Sequence, residues 1–303
     1  MSLSCQLCPR NCKIDRRAGE KGICGMSETM YIARASLHQW EEPCLSGTRG
    51  SGTVFFSGCP LHCVYCQNYK IAEGKRGVPV SIPQLRDIFL KLQEMGAHNI
   101  NLVTPTHFVP SIVSALQLAK GDGLTLPIVY NTSSYETVET LRRLDGLVDI
   151  YLPDLKYYSA ELSGKYSAAP DYFPVATAAI GEMFRQVGKP QFDPDGMLQS
   201  GVLVRHLLLP GNVKDSKRVV RYLWNTYGDR IYMSLMCQYT PLPQVATCHP
   251  ELARRVTEDE YDSLVNYAVD LGITQAYTQE MESASESFIP DFEQFSLKEF
   301  LEK

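Results

Sequence analysis

From residue 53 onward, short apolar runs rich in β-branched residues alternate with stretches of helical spacing. This alternation constrains the fold more than any other feature of the chain. The runs fall at 53–57, 99–104, 127–132, 148–153, 201–209 and 231–239. Between them, 84–95, 109–118, 135–144, 214–227 and 258–271 carry apolar side chains three and four apart, as in Leu85, Ile88, Phe89 and Leu92. Strands alternating with helices argue for βαβ units and a parallel sheet. Runs without polar alternation suit strands covered on both faces. At about 37 residues per unit, six units predict an α/β fold, a (β/α) barrel or partial barrel. The expected organisation is a Cys-rich leader at 1–50, the barrel at 51–275 and an acidic tail at 276–303. Within it, 157–198 holds two helices and a loop at 188–196, and 30–37 reads as one further strand. The hydrophobic fraction of 44% is enough for a proper core.

In such folds chemistry sits on the loops that leave the carboxyl ends of the strands. Those loops read SGCPLHCVYCQN, TPTHF, YNTSS, LPDLK, RHLLLPGN and MCQY. All six are polar or metal-binding in type, so one site can gather them.

The cysteines say most about that site. There are 10, and seven fall in two tight groups. The start, MSLSCQLCPRNCK, has no apolar stretch of secretory type, so the chain is expected in the reducing cytoplasm. There, clustered cysteines read as metal or redox sites rather than disulfides. Cys59-x3-Cys63-x2-Cys66 offers three thiolates on one loop; a four-iron cube so held keeps one iron without a protein ligand. A zinc site completed by His62, or a cube closed by Cys44, is the alternative. Cys5-x2-Cys8-x3-Cys12-x11-Cys24 is a complete four-thiolate set in a segment too short for a core, so a metal would fold it. Zinc and iron–sulfur both accept it. Cys44, Cys237 and Cys248 read as ordinary thiols, with Cys237 facing the presumed mouth.

The loop Cys59-Pro-Leu-His-Cys63-Val-Tyr65-Cys66-Gln-Asn resembles the cluster loop of the radical S-adenosylmethionine (SAM) superfamily. The chain from Cys5 to about Tyr239 is most similar to the uncharacterised iron–sulfur branch related to pyruvate formate-lyase activating enzyme. The resemblance implies a TIM-like partial (β/α)6 barrel, a [4Fe-4S] cluster and SAM chelated on the open iron. It implies reductive cleavage of SAM to a 5′-deoxyadenosyl radical that abstracts hydrogen, by likeness from a glycine Cα of a glycyl radical enzyme. A low-potential electron donor of flavodoxin or ferredoxin type is the implied partner. Asp154-Leu-Lys156 resembles a motif that contacts SAM. Arg205 resembles an arginine that contacts the methionine carboxylate, whereas His206 alternates to the other side of its strand. Asn131-Thr132 stands where the family has Asp-Thr beside a monovalent cation, and Asn131 lacks the charge. Thr104-Pro105-Thr106-His107 replaces the usual Gly-Gly-Glu, with the loop still expected at the SAM site. Tyr65 is expected there too.

Rival readings are a zinc-dependent hydrolase, a radical enzyme acting on another peptide or small molecule, and a non-catalytic iron–sulfur electron carrier. Other partner classes are excluded. The net charge of −5 resides in 280–303, with seven acidic and two basic residues, so no basic nucleic-acid footprint exists. No apolar run approaches the ~18 residues that span a bilayer.

Overall fold

The computed structural model describes residues 4–280, 292 and 295–302. In chain order the elements are β1 (Met30–His38), α1 (Pro43–Ser46), β2 (Ser51–Phe56), α2 (Tyr69–Ala72), β3 (Val78–Val80), α3 (Ile82–Glu94), β4 (Ile100–Val103), α4 (Val109–Gly121) and β5 (Ile128–Thr132). There follow α5 (Val138–Arg142), β6 (Ile150–Pro153), α6 (Ala160–Ser167), α7 (Tyr172–Val187), β7 (Gln191–Phe192) and β8 (Leu198–Leu207). The chain continues through α8 (Val213–Tyr227), β9 (Tyr232–Met236), α9 (Pro243–Cys248), α10 (Glu258–Asp270), β10 (Ala276–Thr278) and α11 (Leu297–Glu302).

The strands form one mostly parallel sheet in the order β10-β9-β8-β6-β5-β4-β2-β1-β3. All six expected strands lie in its parallel part, which curls into a partial barrel open between its two edges. The antiparallel β1 and β3 extend one edge. β1 lies inside the expected leader. β10 lies inside the expected tail and pairs parallel with β9. The expected loop at 188–196 contains β7, which pairs with β8. The acidic residues of the tail fall mostly outside the described residues.

Local signals explain the outer helices. Ser81 and Gln84 form a capping box at α3, as do Thr257 and Glu260 at α10. The stripe Leu85, Ile88, Phe89 and Leu92 of α3 buries against the sheet together with Ile112, Ala115 and Leu116 of α4. The period of two along each strand then sorts the remaining side chains. Tyr130, Tyr151, Val202 and Val204 join the outer core. Val129, Ile150, Leu152 and Leu203 point inward, where Cys44 and Leu45 of α1 plug the bottom of the barrel. The same inward rows continue upward as Asn131, Asp154 and Arg205. Among the described residues no helix is long and apolar enough to cross a membrane.

Candidate radical site at the strand ends

The inward rows end in a cavity of about 230 Å³ lined by Cys59, Cys63 and Cys66 together with Asp154, Lys156 and Arg205. Tyr65, Thr104, Asn131 and Thr132 also line it. Thus ten of the residues expected at the SAM site converge on one space. Thr106 and His107 do not line it. Thr104 adopts a left-handed backbone, φ 57°, which costs a β-branched residue roughly 1–2 kcal/mol. The turn sends the next side chains behind the sheet. Thr106 there donates to Glu136 Oε1 at 2.7 Å. His107 Nε2 lies 2.7 Å from the Ser57 carbonyl. Burial lowers its pKa to about 3, against the opposing bond to Ser57.

Asp154 organises the charged cluster. Its Oδ2 accepts from Lys156 Nζ at 2.6 Å and its Oδ1 from Arg205 Nε at 3.0 Å. Arg205 also donates to Asn131 Oδ1 at 2.5 Å and Glu41 Oε2 at 3.3 Å. Burial alone would raise the Asp154 carboxyl; Lys156 and then Arg205 overcome it and hold the group below its ordinary value. Burial likewise opposes the charge on Lys156, and Asp154 more than restores it. The Tyr172 hydroxyl fixes this turn: it accepts from the Lys156 amide at 3.0 Å and donates to the Asp154 carbonyl at 2.9 Å.

The three-cysteine loop is held from behind by the leader. Gly58 precedes it with φ +85°, and a Cβ there would stand 2.5 Å from the Cys24 carbonyl oxygen, so only glycine fits. His62 turns its Nε2 to the Ile23 carbonyl, 2.6 Å away. Arg10 donates to the carbonyls of Pro60, Leu61, Ser167 and Ala168 at 2.6–3.2 Å. Within the leader, Cys8 and Cys24 are buried, with Cys5 and Cys12 half-buried. Cys8 feels the charges of Cys24 and Cys12, and Cys24 that of Cys5, so the four thiols share one neighbourhood. Among the described residues, no three His, Cys, Asp or Glu side chains stand as a group able to hold a single metal ion as they are placed.

The donor chemistry fits a cationic cluster. Burial, then the neighbouring thiols, push Cys59 up to about 11 and Cys66 up to about 12. As bare thiols they would be neutral at pH 7; cations seated among them are what would keep them thiolate. Cys44 does not line this cavity; it packs in the apolar plug at the barrel's far end. Cys237 Sγ lies 3.6 Å from the Glu280 carbonyl. Sequence reasoning passed over Glu41, Glu42, Tyr172 and Ser167, and it read Arg10 as solvated surface or as a charge facing a cluster or an acidic partner, not as a clamp on backbone carbonyls.

A half-open βα barrel with a three-thiol loop and an Asp–Lys–Arg cluster at its mouth is an α/β fold with the donor types that an iron–sulfur site uses. The chain belongs to the radical SAM superfamily, whose model matches residues 53–223. Membership implies a [4Fe-4S] cluster and SAM. An uncharacterised protein of Methanocaldococcus jannaschii is 26% identical over 283 residues, 90% of this chain and 77% of that one. The structure of Streptococcus suis SuiB bound to precursor peptide SuiA is similar at TM-score 0.51 and 12% identity, over 80% of this chain and 51% of that chain. A domain of pyruvate-formate lyase-activating enzyme from Bacteroides vulgatus gives TM-score 0.40 at 13% identity, over 57% of this chain and 91% of that domain.

Proposed function

We propose that the protein is a radical SAM enzyme of activating-enzyme type, which abstracts hydrogen from a glycine Cα of a partner glycyl radical enzyme. Cys59, Cys63 and Cys66 ligate the cluster. Held there beside bound SAM, the cluster would supply the one electron that cleaves the sulfonium to methionine and a 5′-deoxyadenosyl radical. Lys156 and Arg205 offer cations for the methionine carboxylate, and Asp154 offers an acceptor for the ammonium or a ribose hydroxyl. Asn131, Thr132, Thr104 and Tyr65 complete the wall. Thr106 and His107 receive no contact with SAM in this assignment. Cys5, Cys8, Cys12 and Cys24 hold a second metal, zinc or iron–sulfur, which orders the leader. A flavodoxin or ferredoxin of the cytoplasm provides the electron.

One observation carries the reading. Three cysteines of one loop share a cavity with a half-buried Asp–Lys–Arg cluster, and among the described residues no fourth cysteine lines it. A glycine Cα suits the chemistry because its flanking amides stabilise the product radical. The test is anaerobic reconstitution with iron and sulfide, reduction and addition of SAM. 5′-Deoxyadenosine is expected as product, and none is expected from Cys63→Ala. A cluster that cycles electrons without forming it would make the protein an electron carrier. An EPR doublet from a protein glycyl radical, formed with cell extract, separates the activating role from action on another substrate.

A further inference from the structure

Beside the cysteine-lined cavity lies a second one, of about 250 Å³. The two share Gln67, Asn68, Asn131, Arg205, Met236 and Gln238 as walls, so what occupies one neighbours the other. Its floor is the acidic pair Glu41-Glu42, which enters the barrel just ahead of α1. Its sides carry the aromatic residues Trp40, Phe55 and Tyr277.

Glu41 is engaged: its Oε1 accepts from Asn101 at 3.1 Å and its Oε2 from Arg205 at 3.3 Å. Glu42 is not fully engaged. Its side chain is more than nine-tenths buried, and among the described residues its Oε2 has no hydrogen-bond partner. Native proteins seldom leave a buried carboxylate oxygen unmatched, because desolvation without a donor is costly. Three carboxyl groups, those of buried Glu42 and of half-buried Glu41 and Asp154, share two cations, Arg205 and Lys156, so both glutamates ionise together only at a cost that an added cation would remove. Burial pushes both glutamates above their ordinary range, and Arg205 only partly offsets it. His38, on the rim, adds no positive charge, since burial and then Arg34 lower its pKa.

We propose that this second cavity is a substrate subsite for a positively charged group, an alkylammonium or guanidinium, which donates to Glu42 Oε2. This rests on the radical chemistry assigned above and narrows its substrate class. The cation supplies the missing donor and would favour the ionised carboxylate. The aromatic walls favour the same occupant, because a ring face attracts a cation. The volume lies just below the ~300 Å³ lower end for small-molecule pockets, which suits one amino-acid side chain or a small amine. A substrate so anchored places its neighbouring carbon toward the Arg205–Asn131 wall and the cysteine loop beyond it.

Binding can be read without turnover. The reconstituted protein with SAM, left unreduced, is titrated with agmatine and cadaverine, and with 1-pentanol as an uncharged probe, by calorimetry. Both amines are expected to bind and the alcohol to bind at least tenfold more weakly. Glu42→Gln, nearly isosteric, is expected to weaken the amines at least tenfold. Glu258→Gln, an exposed carboxylate at the start of α10, is expected to leave them unchanged. Equal amine binding by Glu42→Gln, equal binding of the alcohol, or competition by potassium alone would overturn the subsite. So would absence of amine binding in wild type that circular dichroism shows to be folded. Failure of the radical reading is a separate result, namely no 5′-deoxyadenosine from wild type.

Discussion

Arg10 donates from Nε to the Pro60 carbonyl at 2.8 Å, joining the leader to the turn between Cys59 and Cys63. The same guanidinium lies 5.1 Å over the ring of Tyr135 and reaches the carbonyls that end α6. The loop that presents three thiols is therefore clamped by a residue set between Cys8 and Cys12. Arg10→Met should keep the fold and loosen the clamp. Charged hydrogen bonds of this kind contribute about 2 kcal/mol, to be read by urea unfolding. Iron retained after gel filtration should fall relative to wild type. Unchanged iron content would mean that the loop holds its shape alone.

A second dependence follows from Ser167, whose hydroxyl donates to Cys63 Sγ at 3.2 Å. It also lies 2.8 Å from the Tyr157 hydroxyl, itself 2.7 Å from that of Tyr65. A donor to a ligating sulfur withdraws charge and favours the reduced cluster. Ser167→Ala should shift the cluster's reduction potential downward in spectroelectrochemical titration. An unmoved potential would detach this hydroxyl chain from the cluster.

Glu136 gives a pH signature. Thr106, Tyr130 and Thr132 all donate to its Oε1, at 2.6–3.2 Å, while Oε2 is buried without a partner among the described residues. Burial raises this carboxyl to about 7, against the three hydroxyls. Its folded pKa lies above the unfolded value near 4.3, so the native state holds the extra proton. The resulting stabilisation is complete below about pH 4 and is lost as pH rises to about 7, with an upper bound of about 4 kcal/mol. Glu136→Gln keeps an acceptor at Oε1 and removes the titration. Between pH 5 and 8 wild type should lose stability relative to this variant in urea unfolding. Parallel pH profiles would show that Glu136 does not titrate there.

How far the sequence carried the reading depended on the resemblance and on strand periodicity. The resemblance singled out Asp154 and Arg205, and the structure places them two residues beyond Leu152 and Leu203, at the ends of the inward rows. Strand alternation put His206 on the outside, where its Nδ1 lies 2.6 Å from the Leu155 carbonyl. The resemblance carried less far at Thr104, whose left-handed turn takes Thr106 and His107 away from the cavity. Glu41 and Glu42 precede a four-residue helix that carries no period of its own. β10 is three residues long, too short for alternation to register. Arg10 and Tyr172 act on backbone carbonyls and amides far along the chain, which no local pattern encodes.

Arg205 is the cation on which three polar partners depend. It touches Asp154, Asn131 and Glu41 from a side chain only 15% exposed. Removing one partner of a buried ion pair leaves the other charge uncompensated, typically costing about 3–5 kcal/mol. Arg205→Met keeps the stem and deletes the charge, leaving Lys156 alone against Asp154, Glu41 and Glu42. Its urea midpoint should fall by an equivalent of about 3 kcal/mol, and SAM affinity at least tenfold. A companion change, Asp154→Asn, removes one of the stranded charges. The Asp154→Asn/Arg205→Met pair should therefore cost less than the sum of the two single variants, the mark of a coupled pair in a double-mutant cycle. Additive losses would show that Arg205 stabilises the barrel through packing, with the ion pair to Asp154 contributing little.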